Sequence, residues 1–101
     1  MNAFIVDLED RPGSVAAVAE AIALKGISIT SLAGLTGRGA GGAVVLTNDE
    51  AGTRRALAEA GFTTREVEVV PHAIEDRPGS FAEVARRLAD AGVNLEAVLP
   101  T

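Results

Sequence analysis

Apolar and polar positions along the chain alternate between two periods, and the switches between them mark the elements. Ala3-Phe4-Ile5-Val6-Asp7-Leu8 is a short run rich in β-branched and apolar residues, and it predicts a strand. The charged segment that follows carries Pro12, which resists strand pairing, and Gly13, which suits a turn. Val15, Val18, Ala19 and Ile22 then recur at helical spacing, predicting a helix from Val15 to about Lys25, capped by Gly13 or Ser14 and stopped by Gly26. Ile27-Ser28-Ile29-Thr30-Ser31-Leu32 alternates with period 2, as a strand with one buried face does. A glycine-rich segment, Gly34 to Gly42, reads as a flexible hairpin connection to a strand over Ala43–Thr47. Asn48 and Asp49 offer a cap for a second helix to about Ala60, in which Glu50/Arg54 and Arg55/Glu59 are spaced i,i+4. Beyond Gly61 the chain is strand-like through Val67, Val69, Val70 and Ile74, with Pro71 forcing an edge or a bend. We divide it into a strand over about 63–68 and another over about 69–75. Phe81, Val84, Ala85 and Leu88 define the apolar face of a third helix ending near Ala91, and Val93–Leu99 reads as a last strand.

The two loops that open the first and third helices are the same. Glu9-Asp10-Arg11-Pro12-Gly13-Ser14 recurs letter for letter as Glu75-Asp76-Arg77-Pro78-Gly79-Ser80, at an offset of 66 residues. Aligned without a gap, residues 9–32 and 75–98 share 11 identities in 24 positions, and five of the 13 mismatches exchange one apolar residue for another. This is an internal duplication. The element order is therefore β-α-β-β-α-β followed by a partial β-α-β repeat. The first six elements predict an α+β fold, a ferredoxin-like sandwich of an antiparallel sheet with two helices on one face. Residues 1–68 form one complete unit, and residues 69–101 a second that stops after its third element.

Composition narrows the function. At 101 residues the chain has a core just large enough to fold alone. A net charge of −5 argues against a nucleic-acid partner, which requires clustered Lys and Arg. Cys is absent, which removes disulfides, thiolate catalysis and cysteine metal sites. No segment approaches membrane-spanning length and no export signal is evident, so the expectation is a cytoplasmic protein with no membrane association.

The strand, the Asp-Arg-Pro-Gly-Ser loop, the apolar-faced helix and the following Gly26-Ile27-Ser28-Ile29 or Gly92-Val93-Asn94-Leu95 together resemble the ACT domain family. Tandem copies look like the small stand-alone amino-acid-binding ACT proteins. The resemblance implies a βαββαβ unit that binds small ligands, mainly amino acids, and regulates metabolism without catalysis. It implies a ligand site between two units, where the first loop of one faces the start of the second strand of the other. Carried over, the ligand-binding positions are Asp10, Arg11, Pro12, Gly13, Ser14 and Ser28, with Asp76, Arg77, Pro78, Gly79, Ser80, Asn94 and Leu95. The position often occupied by Asn in ligand-binding members is Asn94 in the second copy and Ser28 in the first.

The residues support a site on their own terms. Gly13 lets backbone approach a ligand, and the N–H groups at a helix start attract a carboxylate. Arg11 and Arg77 can pair with that carboxylate, while Asp10, Asp76 or Asn94 can receive an ammonium group. Turn chemistry offers the plainer reading, in which Pro-Gly shapes a tight turn and the charges are solvated. Gly37-Arg38-Gly39-Ala40-Gly41-Gly42 contains G-x-G-x-x-G, but a strand follows it where a dinucleotide site needs a helix. His72 is the only histidine, too few for a metal site, and no nucleophile stands beside a matching base. RNA-binding ferredoxin-like proteins need stacking aromatics on the central strands, of which there are almost none, and metal-carrying ones need Cys-x-x-Cys, which is absent. The expected protein is a non-enzymatic regulator, with no cofactor and no metal, that binds an amino acid and forms a homodimer. The second reading is an interaction subunit that joins a metabolic enzyme and binds no ligand.

Overall fold

A computed structural model describes residues 1–100 of the chain; Thr101, the last residue of the expected second unit, lies outside them. Seven elements form: β1 (Asn2–Asp7), α1 (Ser14–Ala23), β2 (Ile29–Gly37), β3 (Ala40–Thr47), α2 (Glu50–Glu59), β4 (Thr64–Glu68) and α3 (Ser80–Asp90). The strands make one sheet in the order β2-β3-β1-β4, every neighbouring pair antiparallel. This is the ferredoxin-like α+β sandwich that the order of the first six elements predicts.

Registration of the central strands decides what the sheet buries. Phe4 lies opposite Val45 and Val6 opposite Ala43, so these four share one face. With Leu8 they meet Val18 and Ile22 of α1, Ile27, and Leu57 of α2 in a single core. Thr53 is the polar exception in α2. Its hydroxyl is fully buried and satisfied, donating to the Asp49 carbonyl at 2.7 Å and meeting the Thr47 hydroxyl at 2.7 Å. Asp49 caps the helix, its carboxylate accepting from the Gly52 N–H at 2.9 Å.

The opposite face is also covered. Ala3 and Leu46 point away from the helices yet are buried. Arg65 on β4 pairs with Glu96 at 3.2 Å, and the Ser31 hydroxyl on β2 donates to the Pro100 carbonyl at 2.6 Å. Those two strands are the outer edges of the sheet. Four strands span about 14 Å, which five extended residues cover, so residues 96–100 cross the whole back of the sheet.

Two stretches differ from the sequence reading. The glycine-rich segment is not a loose connection. Its strands run in to Gly37 and Ala40, leaving a two-residue turn in which Arg38 and Gly39 take φ of 54° and 80°. Both central residues being left-handed is the turn geometry that matches strand twist. The second difference lies in the repeat. Its loop and helix form, but neither Val69–Glu75 nor Val93–Leu99 forms a strand. Val69 donates to the Met1 carbonyl at 2.8 Å, extending the β1–β4 ladder one step before Val70 and Pro71 leave it. The sheet order supplies the reason. In the first unit the corresponding strands β1 and β2 are not neighbours, because β3 sits between them. Among the described residues, 69–100 hold no counterpart of β3, so the two segments have no middle strand to pair with.

Candidate functional site

The repeated loop folds the same way twice. Arg11 N–H donates to Glu9 O at 3.0 Å and Ser14 N–H to Arg11 O at 3.4 Å; the second copy has Arg77 to Glu75 at 3.0 Å and Ser80 to Arg77 at 3.3 Å. Gly13 and Gly79 are the helix N-caps, with φ,ψ of 89°,−4° and 87°,−10°. A side chain at either position would meet open space, so glycine is required there for its left-handed φ and not for room. Neither cap offers a side chain to the helix, which leaves first-turn N–H groups for other acceptors.

Around the first loop the chain closes a cleft. The Asp7 N–H donates to the Thr63 carbonyl and the Leu8 N–H to the Gly41 carbonyl, each at 3.0 Å, fixing the loop between the α2–β4 turn and β3. An open cleft of about 600 Å³ results, with Arg11, Pro12, Gly13, Ser14 and Ala17 on one side and the 60–63 turn, including Phe62, on the other. Arg11 pairs with Glu9 at 2.7 Å, both side chains more than 70% exposed. Such a pair is weak and exchangeable. Asp10 faces elsewhere: its carboxylate accepts from the Gly39 N–H at 3.0 Å, tying the loop to the hairpin tip.

The second loop is occupied from within. The Arg77 guanidinium donates to Glu75 at 2.9 Å and to both oxygens of Glu83, at 3.3 and 3.0 Å. The hydrogen bonds to Glu83, then those to Glu75, raise the Arg77 pKa above its ordinary value. Ser80 is buried, and its hydroxyl has no hydrogen-bond partner among the described residues.

The remaining expected positions lie elsewhere. Ser28 follows α1 and so sits at the far end of that helix from Gly13, about 15 Å away by helical rise. There its N–H donates to the Asn48 side chain at 3.1 Å and its carbonyl accepts from the Asn48 N–H at 3.2 Å. Asn94 and Leu95 follow α3, likewise a helix length from Gly79, and neither lines the cleft. The single chain therefore gathers Arg11, Pro12, Gly13 and Ser14, and leaves Ser28, Asn94 and Leu95 apart from them. Sequence reasoning missed the 60–63 wall. Gly61 was legible as a helix stop, but its position beside the first loop follows from the β1–β4 pairing. It also missed Glu83, although the Ala17/Glu83 mismatch stands in the repeat alignment.

G-x-G-x-x-G forms the β2–β3 hairpin and opens no helix, and His72 is exposed. Among the described residues no helix is long and apolar enough to cross a membrane, and no group of three or more His, Asp and Glu is placed to hold a metal.

No protein-family model matches the sequence, and no curated protein does. Solved structures do share the fold. Protein BT0572 from Bacteroides thetaiotaomicron is similar with a TM-score of 0.78 and 24% identity, over 95% of this chain and 67% of that one. The regulatory subunit of aspartate kinase from Thermus thermophilus, in its ligand-free form, gives 0.66 and 21% over 99% and 76%. A formyltetrahydrofolate deformylase from Pseudomonas putida gives 0.54 and 18%, with 96% of this chain on 41% of the enzyme. At these identities the likeness is one of fold, over nearly the whole of this chain in each.

Proposed function

We propose that this chain is a non-catalytic regulatory protein that binds an amino acid or a similar small zwitterion in the cleft of the first Asp-Arg-Pro-Gly-Ser loop. The observation that carries the reading is that cleft, whose volume lies in the ~300–1,000 Å³ range of small-molecule sites. At its rim an exposed guanidinium, Arg11, stands beside a helix start with no side-chain cap. Both features favour a carboxylate. The likeness in fold to a kinase regulatory subunit supports the regulatory role. In a homodimer, the resemblance implies that the first loop of one chain faces the start of the second strand of its partner, at Ser28 or at Asn94 and Leu95.

A thermal-shift screen against the twenty amino acids tests the binding. A ligand at ~100 times its Kd stabilises the folded state by about 2.7 kcal/mol, a rise of roughly 10 °C or more for a domain of this size. The expected result is a selective shift that Arg11→Ala removes. Absence of any shift at millimolar concentration overturns the reading.

One observation favours the second reading, an interaction subunit of a metabolic enzyme. Phe81, Val93, Leu95 and Val98 are each about half exposed, apolar side chains that a partner protein could cover. Copurification of an enzyme together with a silent ligand screen would move the conclusion there.

A further inference from the structure

We propose that one position divides the two repeated loops: Glu83 holds Arg77 as an internal carboxylate, whereas Ala17, its counterpart, leaves Arg11 to take a carboxylate from outside. The inference rests on the proposed amino-acid binding and specifies which of two identical loops performs it. Ala17 and Glu83 align within the duplicated stretch, five residues after identical prolines. Their backbones are equivalent, since each N–H donates to the capping glycine carbonyl, at 2.9 Å for Ala17 and 3.0 Å for Glu83. Only the side chains differ.

That difference is a carboxylate in the place of a methyl. The Glu83 oxygens meet two guanidinium nitrogens of Arg77, the paired arrangement in which arginine grips a free carboxylate. Glu83 lies in the first turn of α3, where the helix dipole also favours an anion. Both loops keep the glutamate two residues before the arginine, so Glu9 and Glu75 do not distinguish them. In the first copy Ala17 lines the open cleft. Side-chain exposure follows the same division, 71% for Arg11 and 48% for Arg77.

Reactivity toward phenylglyoxal, read residue by residue by peptide mass spectrometry on the intact chain, tests the division without any ligand. Arg11 is expected to react about 1.4-fold to fivefold faster than Arg77, the range set by one additional exposed ion pair. Glu83→Ala brings Arg77 up to the rate of Arg11, and Ala17→Glu slows Arg11 by a similar factor. Ala and Glu are both strong helix formers, so the fold is retained, which circular dichroism checks. Equal rates in the unmodified chain, or an Arg77 that stays slow in Glu83→Ala, overturns the proposal. Calorimetric titration with each of the twenty amino acids then separates the two claims. One site per chain, retained in Glu83→Ala and falling to none in Ala17→Glu, supports both. Binding of two equivalents to the unmodified chain overturns the division. No binding to any variant, with the reactivity order intact, overturns the amino-acid reading and leaves the division standing.

Discussion

Gly41 shows how a single position ties the hairpin to the cleft. A Cβ built there would stand 2.6 Å from Thr36 Cγ2 and 2.8 Å from the Leu35 carbonyl oxygen. The second of these is backbone, so the β2–β3 pair would have to shift. The Gly41 carbonyl also accepts from Leu8 N–H, the last fixed point before the Asp-Arg-Pro-Gly loop. Gly41→Ala is therefore expected to destabilise the fold by about 1–3 kcal/mol, as overpacking does, and to weaken ligand binding with it. Gly37→Ala is the control, since a Cβ there meets nothing within 4 Å. Its effect belongs within about 0.5 kcal/mol, the scale of ordinary surface changes. Urea unfolding of the two variants measures the difference, and equal midpoints would remove the steric account.

At the scale of elements, the ion pairs of α2 follow the tertiary fold in preference to local spacing. Glu50/Arg54 and Arg55/Glu59 have good i,i+4 spacing, yet Arg54 reaches across to Glu66 on β4, at 2.6 and 2.7 Å, and Glu59 pairs with Lys25 at 2.6 Å. Glu50 instead accepts from the Asn2 N–H at 2.7 Å. Periodicity names the faces of α2; only strand registration places Glu66 opposite them. The same limit explains the hairpin. A run of glycines reads as loop by propensity, and it is the left-handed pair Arg38-Gly39 together with the β3–β1 ladder that makes it strand. Helix existence, order and caps were legible because Gly13, Gly26, Asp49 and Gly61 are local signals. The Glu66 carboxyl is held below its usual range by the Arg54 hydrogen bonds first and the Asn2 amide after them, against opposing desolvation. Lys25 does the same for Glu59. A depressed folded pKa contributes stability that is present above the unfolded value and lost as pH falls through the folded one. Stability is thus expected to hold from neutral pH to about pH 5 and to decline below about pH 4, where free carboxylates protonate. Glu66→Gln is expected to start lower at neutral pH and decline less steeply; an unchanged slope in urea midpoints against pH would show that the pair is not felt.

For the molecule as a whole, the sheet order turns the duplication into an assembly problem. β3 separates β1 from β2, so a β-α-β copy cannot close its own sheet, and residues 69–100 solve half of this by laying 96–100 across the back of the first unit. The helix is left over. Phe81, Val84, Ala85 and Leu88 lie along one side of α3, no side chain of α3 except Ser80 is buried, and Phe81 is 48% exposed. Val84, Ala85 and Leu88 are half-buried and Phe81 is exposed, so the apolar side of α3 is only partly covered, and completing its burial is a driving force for pairing two chains. If the homodimer forms there, Phe81 and Leu88 occupy its centre, where single truncations commonly cost 2 kcal/mol or more. Phe81→Glu with Leu88→Glu is then expected to raise the dimer Kd by at least about 100-fold, read by sedimentation velocity at micromolar concentration. Leu24→Glu, on a residue 85% exposed at the C-terminal end of α1, is expected to leave the dimer intact. A chain that sediments as a monomer before any substitution would sink the dimer and turn the α3 face toward a different protein. A dimer that survives the double substitution would place the contact on another surface, with the open edges of β2 and β4 the next to test.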